Sequence, residues 1–185
     1  MDSTEFEEKV LEPYGLLPRF CGTWSDEPDV VEVARRLGAD PASADTTTWP
    51  MVEDDTVLIG RFGDWTLALE ESTRRGSDKP TLAALSSGGG QAANYWWNVN
   101  GVSSLKYAAD GRLLTSFEPT MDRRPHWAGE EPQALDLFLD GLPLGKGTAA
   151  DSECRLAAFV LIRRLTGRLL DAAWLGSEHQ SFRLT

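Results

Sequence analysis

Residues 94–100, Asn-Tyr-Trp-Trp-Asn-Val-Asn, carry the densest recognition chemistry in the chain. Side chains alternate between the two faces of an extended strand. Tyr95, Trp97 and Val99 therefore share one face, and Asn94, Trp96, Asn98 and Asn100 the other. The first set is an ordinary core face. The second is unusual, because asparagine is depleted in strands and its amide both donates and accepts hydrogen bonds. Two readings of it stand: a ligand-reading surface centred on Trp96, or a polar scaffold whose amides satisfy loop backbone. Just upstream, residues 86–90 are Ser-Ser-Gly-Gly-Gly. Loops that cradle anions usually run from a strand into a helix, whose dipole assists the backbone N–H groups. This loop runs into a strand-like segment, which favours a plain connection or bulged turn. As a binding site the two segments combine into a floor of Asn94, Trp96, Asn98 and Asn100, with Ser86 and the glycines as a lid.

A second cluster is Arg123-Arg124-Pro125-His126-Trp127, where cations adjoin an aromatic ring in an otherwise acidic chain. Arg123, Arg124 and Trp127 suit a carboxylate or phosphate, or a protein-contact patch. The plain alternative is local pairing with Asp122, Glu130 or Glu131. Glu53-Asp54-Asp55 reads as a turn-forming acidic cluster. The two histidines, His126 and His179, fall in different loops with no other ligand at metal-binding spacing, so no metal is expected. No GxSxG, HExxH or P-loop lysine motif occurs, and no cofactor or catalytic residue is assigned. Cys21 and Cys154 are far apart and outside any CxxC pair, which favours two reduced, buried thiols and leaves a disulfide open.

The elements that must carry these residues follow from periodicity. The first dozen residues are charged and read as an acidic tail, frayed or briefly helical. Ser25 or Asp26 caps a helix in which Pro28 fits the first turn, Val30, Val33, Ala34 and Leu37 share a face, and Gly38 ends it. Residues 39–50, rich in Asp, Thr and Pro, read as a loop. The period then falls to two. Residues 56–62 and 65–71 form a hairpin across Gly63-Asp64, with Trp65, Leu67 and Leu69 on one side and Thr66, Ala68 and Glu70 on the other. Residues 73–80 form a polar connection. Residues 92–99, then 102–108 and 112–117 around Asp110-Gly111, complete about five antiparallel strands in chain order. A short helix is expected over 132–139, and a long one from a cap at Asp151 or Ser152 to about Thr166, ended by Gly167. Its AAFVLI centre is apolar nearly all round, as suits a helix laid on a sheet. The predicted fold is α+β: a five-stranded meander packed by an N-terminal helix and C-terminal helices, with residues 1–12 as tail and 13–185 as one domain.

Composition limits the partners. The chain has 185 residues, a net charge of −11 and seven tryptophans. Residues 151–185 hold five arginines and four acids, so the acidity belongs to the first 150 residues. Nucleic acid and anionic membranes would repel such a surface, and a basic protein would be attracted. The N-terminus lacks an apolar signal region and no apolar run could span a bilayer, so a cytoplasmic protein is expected. Fourteen arginines against four lysines, with two isoleucines, is a bias typical of GC-rich bacterial genomes.

Several segments, in order, resemble an uncharacterised family of small, mainly actinobacterial proteins. They are Arg35-Arg36-Leu37-Gly38-Ala39-Asp40-Pro41; Ala84-Leu85-Ser86 followed by Gly88; Asn98-Val99-Asn100; Tyr107, Asp110-Gly111-Arg112-Leu113 and Ser116-Phe117-Glu118-Pro119; and Leu165-Thr166-Gly167. The resemblance spans about residues 24–175. It implies one α+β domain in a bacterial cytoplasm and carries no known activity. The run Gly88-Gly89-Gly90 and the pair Trp96-Trp97 depart from the family pattern, and a ligand specific to this member would use those differences. The leading expectation is a non-catalytic acidic interaction protein, immunity- or antitoxin-like towards a basic protein partner. The alternative is a small-molecule binder, or an enzyme, using residues 94–100 and 86–90.

Overall fold

In the computed structural model, which describes residues 1–50, 55–121 and 127–185, the strands form one antiparallel sheet. They are β1 (Phe20–Ser25), β2 (Ala39–Thr47), β3 (Thr56–Phe62), β4 (Trp65–Glu70), β5 (Gln91–Trp97), β6 (Ser103–Ala109), β7 (Arg112–Phe117) and β8 (His179–Leu184). Their order across the sheet is β2-β8-β3-β4-β1-β5-β6-β7. The helices are α1 (Ser3–Phe6), α2 (Val30–Arg36), α3 (Lys79–Leu85), α4 (Asp136–Leu139), α5 (Asp151–Thr166) and α6 (Ala172–Leu175). The α+β class stands, but the expected five strands are eight. The missed strands are β1, β2 and β8, and β1 inserts between β4 and β5, so the strands do not follow chain order. All six residues of β1 are buried, which erases the alternation that marks a half-exposed strand. No helix among the described residues is long and apolar enough to cross a membrane.

Each face of the sheet has its own hydrophobic cluster. On the first, α5 lies across Phe20, Trp24, Tyr95 and Trp97, with Phe159 at the centre of their rings. Glu153 Oε2 accepts from the Ala150 N–H at 3.1 Å to close the helix start, and Gly167, at φ 80°, ends it in the left-handed conformation that glycine favours. The segment expected as an acidic tail packs on this same face. Asp2 caps α1 by accepting from the Glu5 N–H at 2.9 Å, and a wider helical turn over Glu7–Leu11 follows. Phe6, Val10 and Leu11 recur at helical spacing among the charges and are buried; Phe6 lies 5.0 Å from Phe159. Arg155 donates to Glu7 at 2.7 Å and ties the segment to α5.

On the second face, α2 and α3 place Val33, Ala34, Leu37, Leu82 and Leu85 over Val57, Ile59, Ala68, Ala92, Ala108 and Phe182. The α2 cap is Asp29, which accepts from the Val31 N–H at 2.9 Å. Ser25, expected as a cap, ends β1 and donates to the Leu85 carbonyl at 3.1 Å. The helix expected over 132–139 is confined to Asp136–Leu139. Beyond the reach of α3, towards the other end of β1 and β5, the second face turns polar, and the cleft lies there.

Candidate functional site

Glu70 ends β4 with its carboxylate on the second face, where only 2% of the residue is exposed. Thr73 Oγ1 and the Arg75 N–H donate to its Oε2 at 2.6 and 2.7 Å. The Gly76 N–H donates to Oε1 at 2.8 Å, with the Cys21 thiol 3.7 Å away. One buried carboxylate thus folds the β4–α3 connection back over the sheet as a single turn of 3-10 helix, Arg75–Ser77. The close approach requires Gly76: a Cβ there would stand 1.9 Å from Thr23 Oγ1. Next to it the Asn94 amide donates to Thr23 Oγ1 at 2.9 Å and the Gly22 carbonyl at 3.1 Å, and points towards Cys21 Sγ at 3.6 Å. Lys106, paired across the strands with Asn94, donates to the Ser77 carbonyl at 2.5 Å. Burial lowers its pKa, and the Arg74 charge lowers it further.

This polar layer sets the position of Arg74, whose guanidinium lies 4.7 Å above the centre of the Trp96 ring. Such stacking draws on the negative face of the indole. Arg74 and Trp96 line a cleft of about 170 Å³ with Arg19, Cys21, Thr73 and Asn98. Arg19 pairs with Glu71 at 3.5 Å on its border. Beyond that pair a neighbouring hollow of about 290 Å³ is bounded by Tyr14, Trp49 and Pro50.

The predicted site residues are distributed as follows. Trp96 is half-buried in the cleft wall, and Asn98 borders the cleft. Asn98 Oδ1 also accepts from the Asn100 and Val102 N–H groups at 3.0 and 3.3 Å, which closes the β5–β6 turn. Asn100 is exposed in that turn, and Asn94 is wholly buried. Ser86 is buried at the far end of β5, where its hydroxyl donates to the Leu82 carbonyl at 2.9 Å. Gly89 and Gly90 bond there to Asp110, in the β6–β7 turn. Seven strand residues at ~3.3 Å each put that loop roughly 20 Å from Asn98, so it does not close over the Asn-bearing end. Trp127 is half-buried and stacks on Phe117 at 4.8 Å. Arg123, Arg124, His126, Glu53 and Asp54 lie outside the described residues. His179 stacks on Trp174 at 4.0 Å. Among the described residues no three His, Cys, Asp or Glu side chains come together as metal ligands.

Arg74, Glu70 and Arg19 were not singled out from sequence. Alternation assigned Glu70 to its correct face, but nothing local marks Arg74, because Trp96 reaches it only through the pairing of β1 with β5. Both cysteines are unbridged and buried, and burial pushes both thiols above their usual pKa. A neutral, buried thiol reacts slowly. Alkylation at pH 8 should therefore follow unfolding, with two thiols modified in urea and neither promptly in the native protein. Rapid labelling of Cys21 in the native state would contradict this packing.

A model of a family of unknown function matches residues 20–180. No curated protein and no solved structure matches the chain. With the whole span from β1 into β8 covered, including every residue of the cleft wall named above except Arg19, the chain belongs to the DUF6461 family.

Proposed function

We propose that this chain is a non-catalytic binding protein whose recognition surface is the Arg74–Trp96 cleft. The observation that carries the reading is an arginine whose guanidinium lies 4.7 Å from the centre of a half-buried indole beside a cavity, in a loop held by a buried carboxylate. Binding rather than catalysis is favoured by how the reactive groups near the cleft are engaged. Glu70 directs both oxygens to the loop, and the Cys21 thiol is buried and held protonated. A thermal-shift screen of metabolite classes tests the reading, with Trp96→Ala as the control. A ligand selective for the folded state stabilises it by mass action, by roughly 2.7 kcal/mol at a hundredfold excess over Kd, and so raises Tm. The reading fails if no class shifts the native protein, or if the shift survives in Trp96→Ala.

A second reading rests on charge. Asp40, Asp45 and Asp64 are exposed, and none forms an ion pair among the described residues. With a net charge of −11 they favour a basic protein partner, in an immunity- or antitoxin-like role. An actinobacterial cytoplasm fits the arginine-rich composition. Affinity capture from such a host should yield a basic partner lost between low and moderate salt. Recovery of abundant proteins alone, insensitive to salt, would eliminate this reading.

A further inference from the structure

We propose that the cleft recognises a terminal oxyanion, a carboxylate or a phosphate group, seated on the outward edge of the Arg74 guanidinium with Trp96 as the platform beneath. This rests on the reading of the cleft as a binding site and adds the chemistry of what enters it.

The charges that line the cleft are matched unevenly. Glu70 is surrounded by donors, with two backbone N–H groups and a hydroxyl within 2.8 Å. Glu71 faces Arg19. Arg74 has no carboxylate or carbonyl acceptor among the described residues; its one close partner is the face of Trp96. The indole face takes none of the directed N–H···O bonds a guanidinium can donate, and the guanidinium fork matches two oxygens of one anionic group. Glu70 and Glu71 also line the cleft, so an anion is recognised by the Arg74 fork itself rather than by a broad positive field. The Thr73 and Asn98 side chains border the same space and can orient the rest of the ligand. At about 170 Å³ the cleft takes a small group rather than a folded domain.

The test is titration of the full chain with four probes: benzoate, phenyl phosphate, inorganic phosphate and neutral benzamide. The Trp96 indole N–H resonance serves as the local readout. Saturable shifts are expected with benzoate, phenyl phosphate or both, weakening as salt rises, and the stronger of the two identifies the anionic group. Arg74→Gln should weaken that binding about tenfold or more, as for loss of a charge-assisted hydrogen bond. Arg74→Lys should recover part of it, because the charge remains while the fork is lost. Arg74 is exposed, so unchanged melting curves for both variants would show that neither effect is unfolding. Benzamide binding as tightly as benzoate, with Arg74→Gln neutral and Trp96→Ala inactive, would overturn the oxyanion and leave the cleft as a binding site. No response to any anionic probe would also overturn the oxyanion. The metabolite screen with Trp96→Ala then decides separately whether the cleft binds anything.

Discussion

Replacing Glu70 with alanine is expected to destabilise the protein by about 3–5 kcal/mol and to abolish binding at the cleft. The estimate follows from unsatisfied donors. Removing a buried acceptor strands each partner, at ~1–3 kcal/mol per group. Glu70 holds two backbone N–H groups and the Thr73 hydroxyl, and the carboxylate lies in a site nearly closed to water. For a chain of this size each kcal/mol moves Tm by roughly 2–4 °C, so a fall of about 6–20 °C is expected. The functional loss follows from connectivity, because Arg74 immediately precedes the 3-10 turn that Glu70 anchors. Glu70→Gln separates the two effects. It keeps one oxygen but turns an amide N–H towards a backbone N–H, so it should cost about 1–3 kcal/mol and fold well enough to assay. Binding weakened in the folded Gln variant, with Arg74 and Trp96 intact, would identify Glu70 as a positioning residue. An unchanged urea midpoint for Glu70→Ala would refute the account of the loop.

The second large effect is expected at Phe159. Truncation to alanine should cost about 3–5 kcal/mol, the range for an aromatic removed from a packed core. Phe159 is 1% exposed, with Phe6, Phe20 and Tyr95 ring centres at 5.0, 5.3 and 5.7 Å and Trp24 and Trp97 slightly farther. It therefore joins the N-terminal segment, β1 and β5 to α5 at one point. Phe159→Leu should recover much of the loss, since it refills most of the volume without the edge-on ring contacts. Equilibrium unfolding measures both variants. If Phe159→Ala costs less than Phe159→Leu, filled volume is not what this ring contributes. Since Phe159 and Glu70 act on opposite faces of the sheet, the double variant should show nearly additive losses.

How much of this was legible in sequence depends on the range of the interactions. The β4 alternation of Trp65, Leu67 and Leu69 against Thr66, Ala68 and Glu70 is local, and both faces are as expected. The long C-terminal helix has its apolar centre and Gly167 stop within one continuous segment, and its end at Thr166 agrees with expectation; its N-cap is Ala150 rather than Asp151 or Ser152, because Glu153 closes the first turn onto the Ala150 N–H. Alternation and neighbours separated Trp96 and Trp127, which are half-buried, from Trp65 and Trp97, which are buried; Trp24, Trp49 and Trp174 carry no such local mark and are buried by tertiary packing. The missed strands are long-range objects. The Asp, Pro and Ala content of β2 imitates a loop, and it becomes a strand only by pairing with β8, across a register shift between Asp40 and Asp45.

Sequence by itself determined the α+β class, the alternating faces, the acidic balance and the distinctiveness of residues 94–100. Tertiary structure decided what those residues do. Asn94 became scaffold because β1 slots beside β5, setting Thr23 opposite it and burying its amide. Trp96 became a platform because Glu70 draws the next connection across the sheet and lays Arg74 on it. Alternation is set by the backbone of one strand, whereas a cleft is set by segments that meet only after the sheet has assembled. Cys21, Glu70, Arg74 and Trp96 are brought together by strand pairing and one buried carboxylate, neither of which leaves a periodic mark in the chain.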